Sequence, residues 1–304
     1  MTRSAGMSSV SIADRGVLSP AVRPIAWIGS SILGVVEYCG GVALMIGSAI
    51  RAAILPTGEP LSFARATIRN LDRFVFLSLP ITALVHVGLG SFLAMQAYFG
   101  ATFVDGIGPV VGVGLVRNLA PLISGFILAG LLAPYLTGEL RARTRLFLID
   151  EPDWTPDRGS ISERRSRTEA PRLVAARILA AAIAGPILAL WSAAIGIVVG
   201  WAVGGSMLGV STPGFFDLFM EMLWVRDVVG LVCKGMLFGA AGAIFPCFEG
   251  LRANDGLDYH DYSPAIRAAC LACVAILVIN SGWFLIFYHA GPAFGPTILA
   301  PPNQ

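Results

Sequence analysis

The chain has 304 residues, of which 56% are hydrophobic and only 13% are charged, and its formal net charge is +2. A soluble globular domain carries about 25% charged residues, so this composition excludes one, and the small net charge gives no reason to expect a nucleic-acid partner. The apolar residues form runs long enough to cross a bilayer. The sequence therefore predicts an all-α membrane protein.

The N-terminal region divides into a polar segment and an apolar one. Residues 1–24 are rich in serine and glycine near their start and are predicted to be disordered. A helix is predicted within residues 25–60, ending at the turn that Pro56 and Pro60 enclose. This helix is long enough to span, but Glu37 lies inside it, so an interfacial position remains open beside a crossing one. No small-x-small cleavage site follows, so the segment is expected to be retained.

Five further apolar segments are each about 20 residues or longer, which suffices to cross about 30 Å of hydrocarbon at 1.5 Å per residue. They are predicted to be the transmembrane helices. Their approximate ranges are 74–98, 109–136, 173–203, 228–250 and 266–290.

The arginines predict the orientation of these spans. Nine arginines lie within residues 137–177, and the positive-inside rule places such a segment in the cytoplasm. The short connection 99–108 has no Lys or Arg and is then external, as is the tail 293–304. The N-terminus is cytoplasmic by the same count, which requires that the helix within 25–60 does not cross.

Several kinds of chemistry are absent from the sequence. The only lysine, Lys234, is followed by Gly235 and Met236, so no P-loop lysine is present and ATP is not expected to bind this chain. The three histidines are scattered, no catalytic motif lies in a span, and we expect neither a metal site nor a cofactor. An enzyme is therefore not the favoured interpretation.

Ionisable residues inside a span are costly and are candidates for function. Arg117 and Asn118 interrupt the second predicted span, and Asp227 and Lys234 lie seven residues apart at the start of the fourth. Two helical turns, or about 10 Å, separate that pair, so direct pairing along the helix is not expected. Each of the two is expected to reach another helix, a lipid headgroup or the membrane surface. Gln96 is a further polar candidate, with interhelical packing as its alternative role.

The order of certain residues resembles the MlaE/YrbE family, the permease subunits of ABC systems that act on lipids with MCE-domain proteins. The resemblance covers a permease domain at residues 61–292. It rests on Ser78–Pro80, Ala94–Tyr98, Leu115–Leu122, Leu128–Gly130, Leu136–Leu140, and then Asp227, Lys234, Phe238, Gly250 and Gly256.

The resemblance implies an N-terminal interfacial helix, five transmembrane helices and a cytoplasmic coupling segment, here residues 137–172. It implies a dimer with a second permease, more often a different one, that binds ATP-binding cassette ATPases inside and MCE-domain proteins outside. ATP would be bound by the partner subunit. The implied location is the bacterial inner membrane, and the implied substrate is a phospholipid, fatty acid or sterol.

Three departures from the family pattern affect charged positions. Asn118 stands where members often have glutamate, Leu131 where they have arginine, and Asn280 where an acid is common. The substrate-pathway candidates are therefore Gln96, Arg117, Asn118, Asp227, Lys234 and Asn280. The coupling pattern is also replaced, which leaves as candidates for contact with an ATPase Glu139, Arg141, Arg143, Arg145 and Asp150.

Two alternatives to a lipid permease remain open. A scaffold subunit that does not transport would explain the lost polar residues. A secondary transporter would be expected to contain inverted repeats and broken helices with charges at the midplane, and no convincing internal repeat is present.

Overall fold

The computed structural model describes residues 23–55, 60–99, 108–149, 159–252 and 262–289, and every regular element within these ranges is a helix. The α-helices are α1 Arg23–Ile54, α2 Pro60–Phe99, α3 Ala120–Ile149, α4 Gly159–Leu208, α5 Thr212–Met222, α6 Val225–Arg252 and α7 Ser263–Phe284. Three π-helical segments accompany them: Pro109–Val113, Leu115–Leu119 and Leu285–His289.

Each of the five predicted spans falls in a separate helical stretch of the structure. Six helices in the described ranges are long and apolar enough to cross a membrane, because Gly29–Ile54 in α1 qualifies beside the other five. The prediction of five crossing helices plus one interfacial helix is finer than this result and stays a prediction. Residues 1–22 and 293–304 lie outside the described residues, whereas Arg23 and Pro24 are already helical.

The chain divides into two compact units at Leu44, and the first contains, among the described residues, only the first two-thirds of α1. The second unit begins at Met45 and contains the rest of α1 and every other described helix. Its core includes Phe74, Leu128, Leu136 and Leu188, which are fully buried. Large apolar side chains on the outer faces of the helices, such as Leu84 and Val278, are exposed, as expected where lipid is the solvent.

Glycines join α4 closely to its two neighbours. A Cβ atom built on Gly90 of α2 would lie 2.3 Å from the carbonyl oxygen of Gly196, and one on Gly185 would lie 1.9 Å from that of Gly235 in α6. The helix backbones therefore touch at both places, which only residues without a Cβ allow. The contacts make α2 and α4 parallel and α4 and α6 antiparallel.

The connection between α4 and α6 is not a simple loop, because it contains α5. Gly209, with φ of 69°, ends α4 in the left-handed region, and the Ser211 hydroxyl then accepts the N–H of Gly214 at 3.2 Å to begin α5. Phe215 and Phe219 of α5 are buried against the first π-helical segment. A Cβ on Gly112 would clash with the Phe219 ring.

The third helical stretch begins in a π-helical conformation before it becomes α3. The Ala120 N–H donates to the carbonyl of Leu115, five residues earlier. Pro121 has no N–H, so the carbonyl of Arg117 lacks its α-helical partner four residues ahead. Short π-helical turns within helices occur frequently at functional sites.

Candidate functional site

A bidentate ion pair joins the second π-helical segment to the start of α6. Arg117 Nε donates to Asp227 Oδ1 at 3.0 Å, and Arg117 Nη2 donates to Oδ2 at 2.8 Å. The Asp227 side chain is fully buried, whereas that of Arg117 is 32% exposed. Asp227 also accepts the N–H of Trp224 at 3.3 Å and lies in the first turn of α6, where the helix dipole favours a negative charge.

Lys234 is fully buried two turns further along α6, and it contacts the same π-helical segment. Its Nζ donates to the carbonyl oxygen of Arg117 at 2.9 Å. That carbonyl is available because Pro121 cannot donate to it. Lys234 Nζ also lies 4.4 Å from the ring centroid of Phe284 and 6.0 Å from that of Trp283, which are cation–π distances. In the described part of the chain, Lys234 forms no salt bridge with a carboxylate.

Two carboxamides lie close to this group. Asn118 follows Arg117 in the chain, and Asn280 lies one turn before Phe284, on the face of α7 that meets Lys234. The side-chain oxygens of both asparagines are buried without a hydrogen-bond partner within the described ranges. We refer to Arg117, Asn118, Asp227, Lys234 and Asn280 as the polar cluster.

Hydrogen bonds join three of the six predicted substrate-pathway residues, namely Arg117, Asp227 and Lys234. Asn118 adjoins Arg117 in the chain, and Asn280 lies one turn from Phe284, which contacts Lys234. Gln96 is exposed near the end of α2 and takes part in none of these contacts. With Arg117 and Lys234 positive and Asp227 negative, the polar cluster carries one net positive charge. Its chemistry is that of an anion-binding group inside an apolar bundle.

A second charged group lies at the opposite end of α3. Glu139 accepts from Arg177 of α4, with Nη2 at 2.6 Å and Nε at 3.3 Å, and from Arg143 Nε at 3.2 Å. Arg177 is almost completely buried and also donates to the carbonyl of Leu173 at 2.8 Å. Arg141 is half-buried beside this group. The side chain of Arg145 and the whole of Asp150 lie outside the described residues.

Sequence analysis missed an ion pair at the same end of the bundle. Arg267, in the second turn of α7, donates through its guanidinium to both oxygens of Glu249 in the last turn of α6, with Nε at 2.9 Å from Oε1. Glu249 is fully buried and Arg267 is 54% exposed. Opposite charges near the facing ends of two spans joined by a short connection were the signal that could have identified the pair.

Among the described residues, no group of three or more His, Cys, Asp or Glu side chains is placed to hold a metal ion.

Comparison with known families gives one match. The family model described as "Permease MlaE" matches residues 67–144 and 167–285, which is more than half of the chain and includes every member of the polar cluster.

Individual relatives extend this comparison. The "Probable ABC transporter permease protein RT0041" of Rickettsia typhi is 27% identical over 75% of this chain and 84% of its own length. The "Intermembrane phospholipid transport system permease protein MlaE" of Haemophilus influenzae is 26% identical over 70% of this chain and 79% of its own length. The chloroplast "Protein TRIGALACTOSYLDIACYLGLYCEROL 1" of Arabidopsis thaliana is 23% identical over 63% of this chain and 53% of its own.

Proposed function

The chain belongs to the MlaE permease family, and on this premise we propose that it is the membrane-embedded permease subunit of an ABC transporter that moves lipids in the bacterial inner membrane. The relative named for intermembrane phospholipid transport supports a lipid substrate. The observation that carries the proposal is the polar cluster, since buried charges inside membrane helices are costly and mark substrate pathways.

The proposed topology has five crossing helices, with α1 lying in the membrane interface. Arginine counts support it, because residues 137–177, which run from the later part of α3 into α4, contain nine arginines and belong in the cytoplasm. The N-terminus is then cytoplasmic and the C-terminus external. Glu37 supports an interfacial α1, since a carboxylate near the middle of a crossing helix costs about 2.5–3.5 kcal/mol on insertion scales.

Coupling to ATP is proposed to occur through a separate ATPase. No cofactor is expected in this chain, and ATP would bind the ATPase, which the cytoplasmic ends of α3 and α4 would contact. The ion pair of Glu139 and Arg177 supports this, because it links α3, ten residues before its end, to α4, so that a push on either helix is passed to the other. Arg141, Arg143, Arg145 and Asp150 remain the candidates for direct contact.

We infer three kinds of partner from the family. They are an ATP-binding cassette ATPase, a second permease, which is expected to be a different chain, and MCE-domain proteins on the external side. In the proposed cycle, closure of the ATPases tilts the permease helices and opens or collapses a lipid cavity near the outer leaflet. The polar group of the lipid would meet Arg117 and Lys234, because cations attract anions strongly at low dielectric.

The decisive experiment is gentle purification through a tag on this chain, followed by mass spectrometry and a lipid-transport assay in proteoliposomes. We expect an ATPase, a second permease and MCE-domain proteins to co-purify, and lipid movement to require ATP. Recovery of the chain alone, with ion-coupled flux and no ATP dependence, would overturn the proposal in favour of a secondary transporter.

A scaffold subunit that does not transport is the second candidate. Asn118 and Asn280 favour it, since they stand where the family often has acids. Transport by complexes with Lys234→Ala or Arg117→Ala separates the two functions. A scaffold tolerates both substitutions with unchanged transport, whereas a transporting subunit loses most of its rate while the complex still assembles.

A further inference from the structure

The polar cluster is rich in hydrogen-bond donors and poor in available acids. Its only carboxylate, Asp227, has both oxygens bound to the guanidinium of Arg117, and Oδ2 also accepts the Trp224 N–H. Asn118 and Asn280 are neutral. A positively charged ligand group would therefore find no uncommitted carboxylate among these residues.

Lys234 supplies positive charge that the protein itself does not neutralise. An ammonium has three N–H donors, and Lys234 uses one of them, on the carbonyl oxygen of Arg117. The side chain is fully buried, so bulk solvent does not reach the two remaining donors. The Phe284 ring offers its π-face at 4.4 Å, which stabilises a cation but does not neutralise it. A buried, half-satisfied cation of this kind fits an anionic oxygen.

Asn280 places further polar atoms at the same level of the membrane. It lies on the face of α7 that carries Phe284. Its amide nitrogen can donate a hydrogen bond to an oxyanion without adding charge, so it leaves the positive charge of Lys234 intact. An aspartate at position 280 would instead pair with Lys234 and remove the net charge of the polar cluster.

Building on the proposed function, we propose that the polar cluster selects lipids whose polar group is a singly charged oxyanion without a cationic partner. A fatty-acid carboxylate and the phosphodiester of phosphatidylglycerol share this chemistry. Zwitterionic headgroups such as phosphocholine are disfavoured, because their ammonium would lie near Arg117 and Lys234 with no carboxylate to receive it. Like charges brought together at low dielectric repel strongly.

The test measures lipid binding to the intact complex, purified through this chain in detergent. Fluorescent oleate, phosphatidylglycerol and phosphatidylcholine are titrated separately. We expect at least one of the two anionic lipids to bind with a Kd at least tenfold below that of phosphatidylcholine, and which one does identifies the source of the oxyanion. Equal affinities for all three lipids would overturn the proposal.

Variants of this chain then show which residues produce the preference for anionic lipids. Lys234→Met keeps the length of the side chain and should abolish the tenfold preference, whereas Arg252→Gln, which removes a cation at the other end of α6, should leave it unchanged. If the complex with Lys234→Met keeps the tenfold preference for anionic lipids, the assignment of selectivity to Lys234 is wrong.

Two substitutions at Asn280 keep the proposal testable if the Lys234 variant misfolds. Asn280→Asp should reduce the preference for anionic lipids at least fivefold, and Asn280→Gln should retain it. An unchanged preference in Asn280→Asp contradicts the proposal. Loss of ATP-driven transport with selective binding intact would contradict the proposed function instead, so the two failures are distinguishable.

Discussion

Asp227 and Arg117 depend on each other inside the membrane. Because the Asp227 carboxylate is fully buried, replacing it with alanine would leave a partly buried guanidinium without its carboxylate. Breaking one side of a buried ion pair costs about 3–5 kcal/mol, whereas replacing both sides with apolar residues is often neutral. We therefore expect Asp227→Ala to lower the thermal unfolding midpoint in detergent markedly.

The double variant Arg117→Met with Asp227→Leu serves as the control for this prediction. It removes both charges, so it should unfold at a higher temperature than Asp227→Ala alone. A double variant as unstable as the single one would show that the pair does not act as a unit.

Ser192 is a fully buried residue of α4 whose hydroxyl has no hydrogen-bond partner in the described part of the chain. A buried unsatisfied polar group costs about 1–3 kcal/mol. Ser192→Ala should therefore raise the unfolding midpoint. Ser124→Ala is the matched control, since the Ser124 hydroxyl donates to the Ala120 carbonyl at 2.6 Å and its loss should give no gain. A midpoint for Ser192→Ala at or below that of the unchanged protein would contradict this expectation.

For single residues, spacing in the sequence predicts some side-chain contacts but not others. The seven-residue separation of Asp227 and Lys234 predicted that they would not pair along α6, and the structure confirms this. Their common partner, Arg117, lies more than 100 residues away in sequence, and no local pattern identifies such a contact. Pro121 was the one local clue, since a proline deprives the carbonyl four residues earlier of its helical partner.

Helix α4 depends on glycine where it meets α6. A Cβ on Gly185 would lie 1.9 Å from the Gly235 carbonyl oxygen, so Gly185→Ala requires the two backbones to separate. Overpacking of this kind costs about 1–3 kcal/mol. Gly185→Ala should therefore lower the unfolding midpoint and the yield of monodisperse protein in size-exclusion chromatography.

Gly138 is the matched glycine for comparison, because a Cβ there meets nothing within 4 Å. Alanine is favoured over glycine in a helix by about 0.5–1 kcal/mol, so Gly138→Ala should be neutral or stabilising. Equal effects of the two substitutions would show that the contact with Gly235 does not limit packing.

At the scale of elements, length and hydropathy predicted the five long apolar helices, because the bilayer imposes a minimum length on each. The same reasoning missed α5, which has 11 residues and is too short for that signal. Ser211 followed by Pro213 was a helix-start pattern that could have revealed it. The π-helical segments were not predicted. Two of them contain residues with tertiary contacts that no local pattern shows, since Gly112 meets the Phe219 ring and Arg117 pairs with Asp227.

The whole molecule offers a direct test of topology in a variant without its native cysteines. Met220→Cys in α5 should react with a membrane-impermeant maleimide in intact cells, and Arg252→Cys at the end of α6 should react only after lysis. Both expectations follow from the proposed cytoplasmic placement of the arginine-rich residues 137–177. Reversed labelling would overturn the orientation.

A reporter at the N-terminus decides between five and six crossings. If α1 lies in the interface, the N-terminus shares the side of Arg252, and a fluorescent reporter that folds only in the cytoplasm should be bright. An external N-terminus with the other two positions as expected would mean that α1 crosses. Length alone could not decide this, since Gly29–Ile54, although the least apolar of the six candidate spans, is still long and apolar enough to cross.

The glycine contact between α2 and α4 restricts how this protein can change shape. Sliding α2 along α4 by one turn, about 5.4 Å, would bring His86 or Ala94, each with a Cβ, to the position where Gly90 now touches the Gly196 backbone. Shear between α2 and α4 is therefore blocked, and these two helices are expected to move as one rigid body. A compound that inhibits transport should accordingly act at the periphery of this pair of helices, since there is no room for one to insert between them where the glycines meet.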